Sequence, residues 1–214
     1  MGFRRVSCVE ANIVKTALVN MLLTDSKYEL IANEVPFLNR KRSADMVAIK
    51  NGCLIGFEIK SKSDNLRTMQ AQLDDYQKVF NKVYLVYSEK FSKELDIVKL
   101  PKNVGLIVID NKGELKVRRV AGHRRNLNKE ALISMLWRQD LESLIRCHNK
   151  IEYDELKQIA IKQCAIKNIQ KQINRSLIGR YGEGYNTLLQ EMGSKIILED
   201  LFYITGIKKN RIVF

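Results

Sequence analysis

Asp45, Glu58 and Lys60 are the residues whose types and spacing could do chemistry. They flank Asn51-Gly52, a dipeptide that favours a two-residue hairpin turn because both positions must take positive φ. With those residues as the loop of a type I′ turn, Lys50 faces Cys53 and Asp45 faces Glu58. Side chains repeat every second residue along a strand, so Lys60 points to the same face as Glu58. Val47, Ile49, Leu54 and Gly56 share that face and set the three charges at the mouth of an apolar surface. Two opposed carboxylates repel, and burial raises the cost of ionising both. A divalent cation would relieve that repulsion. Carboxylate oxygens suit Mg²⁺, which keeps several waters and binds one or two carboxylates together with substrate phosphate. Lys60 then helps to polarise an attacking water or stabilises charge in the transition state, so phosphodiester hydrolysis is the expected chemistry. The competing reading is an ordinary ion network at a sheet edge, which D…E-x-K alone would suit.

The elements around the trio must deliver that register. Val6, Val9, Ile13, Ala17 and Met21, flanked by Val14, Leu18 and Leu22, recur at helical spacing and predict an amphipathic first helix. Tyr28–Val35 alternates in strand fashion, and Ala44–Ile49 and Cys53–Ile59 are the two hairpin strands. A second helix, opened by Asp64 after Ser63, carries Leu66, Met69, Leu73, Tyr76 and Phe80 on its buried face. Val83–Tyr87 is a fourth strand, and a strand reached through a helix runs parallel to an earlier one. Gly105–Ile109 and Leu115–Val120 form a last hairpin. Beyond Gly122 only helices are expected: about 128 to 148, 152 to 180 with a break, and two short ones after Gly184. Trp137 is placed on a thick apolar stripe with Leu132, Ile133, Leu136, Leu141, Leu144 and Ile145. The fold class is α/β, a mixed sheet in residues 1–122 followed by an all-helical extension over 123–214.

Composition narrows the partners. The chain has 214 residues, 45% of them hydrophobic, and a formal charge of +13. The basic excess lies in the second half: residues 115 to 214 carry 19 Lys and Arg against 10 Asp and Glu, residues 1 to 114 carry 18 against 14. Such a field suits a polyanion, because phosphate neutralisation supplies most non-specific nucleic-acid affinity. An anionic membrane ranks lower, since the basic helices show no Trp- or Phe-lined apolar face. No long uncharged apolar run or signal-peptide core is present, so a soluble, cytoplasmic protein is expected. Cys8, Cys53, Cys147 and Cys164 are too scattered for a zinc site or disulfide framework and are expected as small buried hydrophobes. His123 and His148 lack the partners a histidine base needs.

Residues 5 to 88 resemble the PD-(D/E)XK, or restriction-endonuclease-like, nuclease superfamily, whose core is helix, three strands, helix, strand. Ser-Ala-Asp45-Met-Val-Ala-Ile stands at that family's Pro-Asp, with Ala44 in place of the proline, and Gly-Phe-Glu58-Ile-Lys60-Ser matches its (D/E)-x-K. The stretch from Lys50 to Ser61 is similar to archaeal Holliday-junction resolvases, in which a first-helix glutamate joins the metal site, here Glu10. Gln72-Leu-Asp-Asp-Tyr76 resembles the Q-x-x-x-Y motif of RecB-type nucleases. The resemblance implies an αβββαβ core and a Mg²⁺-dependent endonuclease, with Mn²⁺ able to substitute, working in repair, restriction or a mobile element. It implies a catalytic group of Asp45, Glu58, Lys60, Glu10 and Gln72, and metal ligation by Asp45 and Glu58 with Glu10 or Glu34 as third carboxylate. Arg40, Lys41, Arg42, Lys62, Arg67 and Tyr76 are candidates for contact with DNA, whether duplex, single-stranded or branched. Basic side chains at 116 to 125 and 157 to 180 could add to that surface or face a second copy, giving a homodimer through the helical part. A catalytically idle DNA-binding or restriction-complex subunit is the alternative, and an RNA substrate is equally compatible with the residues.

Overall fold

The computed structural model describes residues 2–25, 27–97, 99–146 and 151–206. Cys147 and His148, and the side chain of Cys8, lie outside the described residues. Six strands form one mixed sheet in chain order: β1 (Leu30–Phe37), β2 (Arg42–Lys50), β3 (Cys53–Lys60), β4 (Lys82–Ser88), β5 (Gly105–Ile109) and β6 (Leu115–Arg119). β1, β2 and β3 are antiparallel neighbours, β3, β4 and β5 are parallel, and β6 returns antiparallel. The parallel steps run through α2 (Met69–Gln77) and α3 (Ser92–Ile97), because a parallel strand needs a crossover. Pro36 is tolerated in β1 because that strand is at the sheet edge.

The Asn51-Gly52 turn forms as its composition predicts, with φ of 52° and 70°, and Lys50 pairs with Cys53. The even-numbered positions of β3 face α2. At Gly56 an added Cβ would lie 2.6 Å from the Phe80 ring and 2.9 Å from Tyr76, so only glycine lets the helix side chains come so close to the strand.

Helix α1 (Gly2–Asp25) spans the predicted segment, but its buried stripe is turned by about one residue. Val14, Leu18, Val19 and Leu22 are buried, whereas Ile13 is 47% exposed. Asp64 does not open the second helix. Its carboxylate accepts hydrogen bonds from the Ser61 N–H and hydroxyl, at 2.8 and 2.7 Å, so it closes a turn behind itself and α2 starts only at Met69.

Among the described residues four α-helices follow β6, α4 (Lys129–Ile133), α5 (Arg138–Ile145), α6 (Tyr153–Gln163) and α7 (Ile166–Glu191), and then a 3-10 turn at Glu199–Phe202. The predicted helix at 128 to 148 is interrupted at 134–137, where the Trp137 N–H donates to Asp140. The helix breaks there, and the apolar stripe resumes beyond it at Leu141. Trp137 is accordingly half-exposed, under the Arg180 guanidinium at 4.8 Å, while Leu132, Ile133, Leu136 and Leu141 are buried. The break expected in 152 to 180 falls at Cys164 and Ala165. α7 then runs through Gly184, where helices were expected to begin. That glycine is a close-approach position, since a Cβ there would strike the Tyr203 carbonyl. These helices share the sheet's core: Asn174 donates to the Gly52 carbonyl, and the Tyr185 hydroxyl donates to the Tyr28 carbonyl. The segment beyond α7 reaches back to β1, where the Asn33 N–H donates to the Ile204 carbonyl. Cys53 and Cys164 are half-buried, and no helix of the described residues is long and apolar enough to cross a membrane.

Gly56→Ala is expected to lower stability by about 1–3 kcal/mol through overpacking against Phe80 and Tyr76, read as a fall in the denaturant midpoint at unchanged slope.

Candidate active site

The site forms where β2 and β3 part. Their pairing runs from Lys50–Cys53 to Met46–Phe57 and stops there. The next positions in that register are Asp45 and Glu58. β2 continues beside β1 alone and β3 beside β4, which leaves a fork with Asp45 at its apex. The Ile59 N–H, which a continued ladder would have aimed at Ala44, instead donates to Asp45 Oδ2 at 2.7 Å.

Both carboxylates lie on the face covered by α2, and Tyr76 shows it. Its hydroxyl oxygen accepts from the Asp45 N–H at 3.0 Å. Its proton is donated to the Phe57 carbonyl at 3.4 Å. Burial, then the charges of Asp45 and Glu58, push the phenol well above its usual range, so it remains a donor. Tyr76 is 1% exposed, as its place on the buried face of the predicted helix implies and not as the alternative of a DNA contact would need; it fixes the backbone under the carboxylates.

Glu58 is 2% exposed and Lys60 is 7% exposed. The Lys60 ammonium lies 2.9 Å from Glu58 Oε1 and donates to Gln72 Oε1 at 2.8 Å. The Thr68 hydroxyl donates to the same amide oxygen at 3.0 Å, which orients Gln72 towards the lysine. Gln72 thus joins the site through Lys60. A buried ammonium retained by one carboxylate and one amide keeps a donor for a further ligand.

The remaining candidates divide. Glu34 lies within β1, in the row of Asp45, but with φ of 55° it drops out of the ladder, and its half-exposed carboxylate pairs with Lys15 at 3.2 Å. Glu10, on α1, has a buried Oε2 with no hydrogen-bond partner. Arg42 is tied to Asp75 of α2 at 2.7 Å. Arg40, Lys41, Lys62 and Arg67 are exposed, and Leu38, Asn39 and Arg40 form a left-handed turn with φ of 50°, 55° and 63°. Of the basic residues at 116 to 125 and 157 to 180, Arg119 is spent on the Val104 and Pro101 carbonyls, while Lys162, Lys167, Lys171 and Arg175 are exposed.

Sequence reasoning missed Lys15, Thr68 and Asp75. Lys15 had a signal: with Leu18, Val19 and Leu22 it stands at i, i+3, i+4 and i+7, a core position filled by a lysine.

Among the described residues no three His, Cys, Asp or Glu side chains converge on a metal position. The pair still fits a hard divalent cation. Burial first, and the charge of Glu58 second, raise the Asp45 carboxyl from 3.8 to about 7, against the opposing pull of the Ile59 N–H, Lys15 and Lys60. A site that resists holding two bare carboxylates near neutral pH gains by taking a cation, whereas Glu10 on α1 does not converge with the pair on one metal position. The folded protein binds the Asp45 proton more tightly than the unfolded chain, so its stabilising effect is complete below pH 3.8 and is lost as pH rises to about 7. Without metal, Asp45→Asn should therefore raise stability at pH 8 by about 1–3 kcal/mol and flatten the fall between pH 4 and 7, measured by denaturant melts across pH. Tyr76→Phe strands the Asp45 N–H and should cost about 1–3 kcal/mol in the same assay.

Comparison with known proteins bears on the whole chain. Protein cII of Enterobacteria phage P4 is 28% identical over 211 residues, spanning 92% of this chain and 78% of that relative. A solved protein of unknown function from Silicibacter pomeroyi aligns with a TM-score of 0.36 at 20% identity, covering 57% of this chain and 85% of the other. The family model for bacteriophage P4 protein cII matches residues 5–205, which include both arms of the fork, α2 and the helices that brace them, and the chain belongs to that family.

Proposed function

We propose that the protein is a metal-dependent nuclease of the PD-(D/E)XK type that hydrolyses phosphodiester bonds in DNA. The observation that carries this reading is the fork: Asp45 and Glu58 share one face, Lys60 is bound to Glu58, and Gln72 and Tyr76 of α2 hold the lysine and the strand backbone in place. The element order α1, β1, β2, β3, α2, β4 is that of the nuclease core and supports the fold-level reading. Asp45 and Glu58 would hold Mg²⁺ or Mn²⁺. The ion, when bound, supplies a positive centre that polarises the phosphate and offsets transition-state charge. Lys60 would shift from Glu58 towards the attacking water or a phosphate oxygen, and Gln72 limits how far it moves. Arg40, Lys41, Lys62 and Arg67 are exposed cations available to the flanking phosphates.

A second reading, a DNA-binding subunit without catalysis, has its own support. Glu58 is closed on Lys60, and Asp45 on the Ile59 N–H, so both carboxylates have partners without metal.

Purified protein with Mg²⁺ or Mn²⁺ should cut plasmid, single-stranded or branched DNA, and Asp45→Ala or Lys60→Ala should reduce the rate at least about 100-fold while circular dichroism shows an intact fold. Because Asp45 must lose its proton to bind a cation, cleavage should climb with pH through about 7 and then level off. Cleavage unchanged in both variants sinks the nuclease reading. Absence of cleavage, with DNA retained and no Mn²⁺ bound, selects the second.

A further inference from the structure

One charged group beside the site has no part in the chemistry proposed so far. Lys15 is 4% exposed and occupies a core position of α1 between turns that carry Leu18, Val19 and Leu22 inward. Its one hydrogen-bond acceptor among the described residues is Glu34 Oε1, at 3.2 Å. Glu34 is the β1 residue opposite Asp45: Asn33 pairs with Met46 and Val35 with Ala44, so 34 and 45 share the row left open between them. The ammonium is thereby placed on the β1 side of the carboxylate pair, as Lys60 is placed on the α2 side.

This pairing is lopsided. A lysine taken almost fully out of water is held by a carboxylate that is 58% exposed and keeps much of its hydration. An exposed carboxylate neutralises a buried ammonium only partly, because water screens it. The uncancelled positive charge acts on what lies in the interior next to it, and Asp45 is that neighbour. Consistent with this, Lys15 is among the charges that ease ionisation of Asp45.

We propose that Lys15 is a built-in counter-cation of the Asp45–Glu58 pair, held back by Glu34, and that this lysine–glutamate pair sets how tightly the site takes a divalent cation. The inference rests on the metal-dependent reading and deepens it. Lys15 lets the carboxylates remain buried when no metal is present, and for the same reason it opposes a second cation arriving there. Glu34 acts on the site through Lys15, as a neutraliser rather than as the third ligand.

Mn²⁺ titration of the full chain, followed by the electron paramagnetic resonance of free Mn²⁺ and by calorimetry at pH 8, tests this without a cleavage assay. Lys15→Met should tighten Mn²⁺ binding about tenfold, and Glu34→Gln should weaken it by a similar factor. Damage to the fold would not strengthen binding, so the sign for Lys15→Met separates a counter-cation from a structural lysine. The double variant Lys15→Met/Glu34→Gln should bind at least as tightly as the unmodified protein. If it binds as weakly as Glu34→Gln alone, Glu34 is a ligand and the proposal is overturned. Unchanged or weaker binding in Lys15→Met, with Lys15→Gln as the folding control, overturns it too, while leaving the nuclease reading intact. No Mn²⁺ binding by the unmodified protein overturns both.

Discussion

Keeping two carboxylates side by side at the margin of an apolar core is the constraint on which the rest of this structure depends. Nothing in the local chain favours it, since like charges in a half-buried sheet repel. The solution is assembled from every direction. The ladder between β2 and β3 ends one pair early, so the Ile59 N–H is free to receive Asp45. Tyr76 reaches from α2 to hold the Asp45 N–H and the Phe57 carbonyl. Lys60 and Lys15 bring positive charge from two elements. Each of these groups is itself fixed: Lys60 by Gln72, Tyr76 by its packing beneath Phe37 and Phe80, Lys15 by Glu34.

The scaffold makes that assembly rigid. The turn at Asn51-Gly52 sets the register, and a slip of one residue would send Asp45 to the opposite face. Gly56 lets α2 settle close enough for Tyr76 to reach across the sheet. Arg42, expected at a DNA surface, is tied through Asp75 to α2, so the outer part of β2 is anchored to the helix after it leaves β3. The fork is therefore held open by contacts on both arms.

Much of this was legible in the sequence because it follows from short-range rules. The Asn-Gly turn, the period-2 runs of β2 and β3, and the face shared by Asp45, Glu58 and Lys60 are all fixed by residues within a span of about 16 positions. What escaped depends on contacts made in three dimensions. Lys15 stood at helical spacing with Leu18, Val19 and Leu22, but that signal was masked by the competing stripe through Ile13 and Ala17, and the fold decides between the two. Asp64 has the composition of a helix start, yet its carboxylate is captured by Ser61 behind it. Trp137 looked apolar in a linear pattern but stands at the junction of two helices, where Arg180 covers it. Gly184 reads as a breaker in isolation and is a clearance for Tyr203 in the fold.

The strand that carries Glu34 is also the sheet's open edge, and what closes it comes from far along the chain. Asn33 bonds through its side chain to Thr205, a separation of 172 residues, and through its N–H to Ile204. Contacts of such sequence distance form late, because the intervening loop must first be closed. A nascent chain in which the helices have yet to emerge therefore presents β1 as a bare row of donors and acceptors, the arrangement most prone to pair with another chain. The strand that carries Glu34 is therefore flanked at Asn33 by a contact that only a chain extending to residue 205 can make.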